Sequence, residues 1–164
     1  MIKEYDRISA ISYALKWALS RNPDFYDYNN IGGDCTNFVS QCVYAGTQTM
    51  NYTPEYGWYY INGNEKSPSW TGVEFFYDFM INNKGEGPFA EERNINYLIP
   101  GDIIQLGNKD GDFYHSLILT KIDFGGRRRR FFVCAHSEDA FQKNLLSYRF
   151  ERIRGIHILG YRNE

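Results

Sequence analysis

Residues 32–42 read GGDCTNFVSQC, two glycines followed by a run in which Phe38, Val39, Cys42 and, just beyond it, Val43 recur at the spacing of one buried helix face. The pair Gly32-Gly33 permits backbone angles that other residues avoid, so the chain can turn sharply there and enter a helix at about Cys35. Gly46 is the expected stop. A helix start sets Cys35 among N–H groups that lack intrahelical partners, and these, with the aligned peptide dipoles, favour negative charge. A thiol so placed is expected to ionise more readily than an ordinary one, and its own amide can donate to a developing oxyanion. The commonest role of a free cysteine is packing. Cys42 and Cys134 are read that way, whereas the glycines and the helix start argue for a nucleophile at Cys35.

Upstream, Ile8, Ile11, Leu15, Ala18 and Leu19 form a helical stripe over Asp6 to Ser20, with Asp6 as N-cap and Asn22-Pro23 as terminator. Downstream, Thr47 to Trp70 shows no sustained period and is expected to be a long functional loop. A third helix is predicted over Gly72 to Asn82, with Val73, Phe76, Tyr77 and Met80 inward. Strands are predicted over Asp102–Leu106, His115–Ile122, Arg127–His136, Leu145–Phe150 and Ile153–Tyr161, with Gly125-Gly126 reversing the second into the third. Helices first and strands second give an α+β class: N-terminal helices packed on a small antiparallel sheet or half-barrel. At 164 residues the chain is read as one domain, 1–164.

Composition narrows the function. Apolar residues at 43% and charged residues at 23% are those of an ordinary globular domain, while 18% aromatics, including 14 Tyr and 12 Phe, suit a cleft for ligands with flat faces, such as sugars or peptides. A net charge of −2 argues against nucleic acid as partner. The run Arg127–Arg130 is a local exception, read as a solvated strand edge. Cys35 and Cys42, two helical turns or ~10 Å apart, are too distant for a disulfide. No membrane span is expected, and the start MIKEYDRISA lacks the apolar core of a signal peptide. As given, the chain reads as cytoplasmic, or as extracellular or cell-wall-located if it is an excised piece.

A cysteine nucleophile needs a base within hydrogen-bond reach, and the base needs an orienting partner. His115 opens a strand after a turn and is the candidate base; His136 ends the neighbouring strand and is placed to orient it; His157, inside the last strand, is read as structural. Asp123 and Asp139 are alternatives to His136, because hairpin register is not fixed by sequence. A zinc site from Cys35, His115, His136 and Cys134 is a further reading, disfavoured by the lack of paired CxxC or HxxxH spacing. No metal or other cofactor is expected.

GGDCTNFVSQC, with YALKWA (13–18), NPDF (22–25), SPSWTGV (67–73), PGDIIQL (100–106), YHSLIL (114–119) and CAHS (134–137), resembles the putative amidase domain family, in order from about Tyr5 to Tyr161. That family belongs with the NlpC-type and CHAP peptidases in the papain-like clan. The resemblance implies a circularly permuted papain-like fold and an active site in which Cys35 attacks an amide carbonyl, His115 moves the proton and His136 fills the polar third position. No cofactor is implied. The implied substrate is a peptidoglycan stem peptide or a related short peptide, with Asp34, Ser116, Trp58 and Trp70 expected at the substrate. The alternative is a catalytically inactive module that binds cell wall or peptide. Arg127–Arg130 and the Tyr52–Tyr60 loop depart from the family pattern.

Overall fold

In a computed structural model that describes all 164 residues, a two-residue strand β1 (Ile2–Lys3) leads into helix α1 (Arg7–Trp17). Asp6 caps α1, its carboxylate accepting the Ser9 N–H at 3.0 Å. The buried face matches the expected one only in part: Ala18 is buried as expected and Leu15 packs against the core, but the two ends of the stripe turn outward. Ala10, Ala14 and Ala18 are fully buried, while Ile8 and Leu19 are 80% and 64% exposed. Small residues let α1 lie close to α2, and that close approach turns the larger side chains outward.

Helix α2 (Cys35–Thr47) starts where the glycine pair predicts, with Gly32 and Gly33 at φ +80° and +99°. Phe38, Val39, Cys42 and Val43 are fully buried. The helix runs past Gly46 and ends at Gln48, which adopts φ +49° and donates its N–H to the Tyr44 carbonyl. Gly46 instead makes room for the chain entering α1, since a Cβ there would sit 2.5 Å from the Tyr5 ring and 2.7 Å from the Asp6 carbonyl. Gly46→Ala is therefore expected to destabilise by about 1–3 kcal/mol through overpacking. Urea unfolding checks it: the midpoint falls and the slope is unchanged.

The stretch from Thr47 to Trp70 is built rather than loose. Asn51 and Trp58 exchange backbone hydrogen bonds of 2.9 and 2.7 Å, and strands β2 (Tyr60–Asn62) and β3 (Glu65–Lys66) make a small hairpin. A single helical turn, α3 (Pro68–Thr71), follows. Trp58 and Trp70 pack with ring centroids 4.7 Å apart, and their indole N–H groups donate to Ser40 Oγ (3.1 Å) and Asn37 Oδ1 (2.9 Å) of α2. Large rings thus fix this excursion onto the central helix. Helix α4 (Val73–Asn82) buries Phe76, Phe79 and Met80.

The remaining strands are β4 (Gly87–Arg93), β5 (Ile103–Gly107), β6 (Phe113–Gly125), β7 (Arg128–Ala135), β8 (Ala140–Asn144) and β9 (Arg152–Arg162). They join β1 in one antiparallel sheet of order β1-β9-β5-β6-β7-β8, with β4 also paired to β9. Residues 145–147, expected to begin a strand, form a 3-10 turn because Asn144 caps it through the Leu146 N–H. Period-two alternation sends Ile103, Ile118, Cys134 and Ile156 toward the helices and Ile104, Leu106, Leu117, Leu119 and Val133 to the other face, where the curled sheet encloses a second core. The α+β class with helices on one face of an antiparallel sheet is as expected, and no helix is long and apolar enough to cross a membrane.

At the far edge, fully buried Asp102 accepts the Ile99 and Ile158 N–H groups (2.9 and 3.0 Å) and pairs with Arg7 (2.8 Å) and His157 Nδ1 (2.8 Å). These contacts tie α1 and β5 to β9. His157 is structural, as its place inside a strand predicts.

Candidate active site

Cys35 is the first residue of α2, where the N–H groups of the opening turn have no carbonyl above them to bond. Its Sγ lies against the backbone N–H of Ser116 and 3.7 Å from Thr36 Oγ1, which in turn lies 2.9 Å from Ser116 Oγ. The helix start and strand β6 therefore meet at the sulfur. Only 8% of Cys35 is exposed. Burial pushes its thiol pKa up, the Ser116 N–H and the Thr36 hydroxyl and N–H pull it down, and the adjacent Asp34 charge adds to the rise, leaving it above the ordinary value. Desolvation thus runs against the ready ionisation that the helix start favours.

Asp34 is 1% exposed, and its carboxylate is taken up by the scaffold. One oxygen accepts the Tyr28 N–H (2.9 Å) and Asn37 Nδ2 (2.8 Å); the other meets His136 Nδ1 at 2.6 Å. His136 is stacked on Phe38, ring centroids 4.0 Å apart, with Nε2 2.8 Å from the Trp17 carbonyl and 3.3 Å from Arg21 Nη1. Both ring nitrogens are engaged, so His136 does not orient His115; alternation turns it to the α2 side. The other candidates for that role are also occupied. Asp139 takes both Arg21 terminal nitrogens (2.9 and 3.0 Å), and Asp123 pairs with Arg130 (2.8 Å) on the β6–β7 hairpin. Ser116, Trp58 and Trp70, expected at the substrate, are fully buried as supports of α2.

His115 pairs in register with Leu106, faces the second core and packs beside Tyr148 with ring centroids 5.9 Å apart. It makes no hydrogen bond to Cys35, and the two meet through the Ser116 backbone. Burial lowers the His115 pKa below 6.5, with Glu138 opposing and Lys143 reinforcing that shift. Both shifts favour the uncharged forms, thiol and imidazole. An imidazole accepts a proton above its pKa and is already protonated below it, so any activity carried by His115 is expected to fall only as pH drops through a value under 6.5. In the same protein, alkylation by iodoacetamide at pH 7 is expected to be slower than for an exposed cysteine and to rise with pH. A kcat/KM profile and a rate series against pH check the two limbs.

Two clefts flank this point, of about 790 and 1000 Å³, sizes that suit small ligands or short peptides. One holds His115, Tyr148, Glu138 and Lys143; the other holds Tyr26, Tyr28 and Lys66; Gly33, two residues before Cys35, lines both. Ser137 and Glu138 both lie in the left-handed region (φ +59° and +73°), bending the chain after His136 so that Ser137 Oγ accepts the Asp34 N–H at 2.7 Å. Strain in neighbouring non-glycine residues is characteristic of functional sites. Glu138 and Tyr148 were not singled out from sequence, and nothing in their local pattern marks them. A cavity of about 510 Å³ between the Asn51–Gly57 stretch and α4 shares no residue with either cleft.

No solved structure matches the chain. A Bacillus subtilis (strain 168) protein named uncharacterized protein YhbB is 34% identical over 124 residues, which are 74% of this chain and 39% of the relative. The chain thus covers well under half the length of that relative. The profile of the putative amidase domain matches residues 4–159, nearly the whole fold and both sides of the Cys35 site, and the chain belongs to that family.

Proposed function

We propose that the protein hydrolyses amide bonds in short peptides, peptidoglycan stem peptides among them, with Cys35 as nucleophile and His115 as general base. One observation carries the reading. The single thiol at a helix start receives the amide of the residue next to His115, beside a glycine that lines both clefts. In the reaction, His115 accepts the Sγ proton as sulfur bonds to the carbonyl carbon, and the oxyanion gathers toward N–H groups of the α2 first turn. The C–N bond then breaks as His115 returns the proton to the leaving amine, giving a thioester. Water adds to the thioester with His115 taking its proton, and collapse releases a carboxylic acid and restores the thiol. His115 acts here without His136 as its orienting partner.

The test is mass spectrometry of a muropeptide digest incubated with the protein. Paired fragments with a new amine and a new carboxylate end, whose masses together exceed the parent's by one water, are expected with wild type and not with Cys35→Ala. A second reading, ligand binding without turnover, is favoured by the covered thiol and by the lack of a hydrogen bond between Cys35 and His115. Absence of turnover by wild type, with undiminished ligand binding by Cys35→Ala, would select it.

A further inference from the structure

We infer that the preferred substrate is an acidic peptide with a carboxylate on each side of the scissile amide, one held by Lys66 and the other by Lys143. This rests on the amide-hydrolase reading and adds a substrate class to it.

Charge in the clefts runs against charge in the chain. The sequence has 20 acidic residues to 18 basic ones. The clefts present Lys66 on one arm and Lys143 and Arg149 on the other, with Glu138 as the one carboxylate among them. Neither lysine is in an ion pair; among lysines, only Lys121 is, with Asp123.

Both ammonium groups are positioned by an aromatic face. Lys66 Nζ lies 5.4 Å from the Tyr28 ring centroid and Lys143 Nζ lies 4.2 Å from that of Tyr148. A ring face attracts a cation and restricts it without cancelling its charge, so less freedom is lost when a carboxylate binds. The rings are themselves held: Tyr28 by its hydroxyl donating to the Gly63 carbonyl (2.7 Å) and by the Tyr26 ring (4.9 Å), Tyr148 by the His115 ring (5.9 Å). The β2–β3 hairpin is what presents Lys66. Gly33 is the wall common to both arms. Gly33 stands two residues before Cys35, which itself lines neither arm, and a peptide laid across Gly33 has one flank toward each lysine.

Glu138 opposes binding on the His115 arm, and Lys143 and Arg149 outnumber it there. Amide side chains of Asn29, Asn62 and Asn64 supply neutral polar partners along the groove.

The test uses the full chain as Cys35→Ala, so that binding is read without hydrolysis. Isothermal titration is done with N-acetylated, C-amidated tetrapeptides bearing Glu or Gln at the first and last positions around a central Ala-Ala amide. The Glu/Glu peptide is expected to bind at least 10-fold more tightly than Gln/Gln, with the single exchanges between them and the advantage shrinking as salt rises. Lys66→Met is expected to erase the preference at one end and Lys143→Met at the other, both keeping the aliphatic stem. Equal affinity for all four peptides, no binding of any, or discrimination that survives both lysine changes overturns the inference. Wild-type turnover separates the two ideas: equal cleavage of acidic and neutral peptides sinks the substrate class and keeps the amidase, whereas tight acidic binding with no cleavage does the reverse.

Discussion

Cys35→Ala is expected to lower amide hydrolysis by roughly 10⁴-fold or more, the loss seen when a nucleophile that works as a unit with its base is removed. No other sulfur can substitute, because Cys42 and Cys134 are fully buried in the helix-facing core. The fold should survive. Deleting one sulfur from a well-packed position costs about 1 kcal/mol, a shift of about 2–4 °C in Tm for a domain of this size. Residual activity above a hundredth of wild type, with substrate and fold confirmed, would remove Cys35 from the chemistry.

Asp34→Ala is expected to have the largest effect on stability. Its carboxylate is the common acceptor for Tyr28, Asn37 and His136, and all three lose it together. A buried polar group left without its partner costs about 1–3 kcal/mol, and several lose theirs at once here, so Tm should fall by about 10 °C. Asp34→Asn retains an acceptor oxygen and should lie between. Thermal melts of the two variants beside wild type decide it; an unchanged Tm for the alanine variant would mean that the network does not hold the loop before Cys35 in place.

How much of this was legible in the sequence follows from the range of each interaction. Helix α2 announces itself through two glycines and a 3.6-residue period, and the β6–β7 hairpin through branched residues around Gly125-Gly126. Those signals are local. Strand β4 is hidden by Pro88, Glu91 and Glu92, which are tolerated because its pairing with β9 lies near the sheet margin. The face of α1 is legible only in part, because hydrophobicity favours Ile8 over Ala10, whereas close helix contact favours alanine. The Asp34–His136 contact joins residues 102 apart, and no spacing rule reaches that far. Asp34 gives one clue: it sits at the N-cap of α2 yet makes no capping bond with its side chain, so its charge is committed elsewhere. Trp58 and Trp70 look like cleft residues by type, and only their indole bonds to Ser40 and Asn37 place them inside.

The covering of Cys35 also bears on how long the protein stays active. Oxidation to sulfenic and then irreversible sulfinic acid follows thiolate character and exposure, and Cys35 is low in both. All three cysteines are free, so no disulfide guards the sulfur. Its protection against peroxide is the protein around it, and any variant that opens the Gly32–Gly33 turn should speed alkylation and oxidation of Cys35 together.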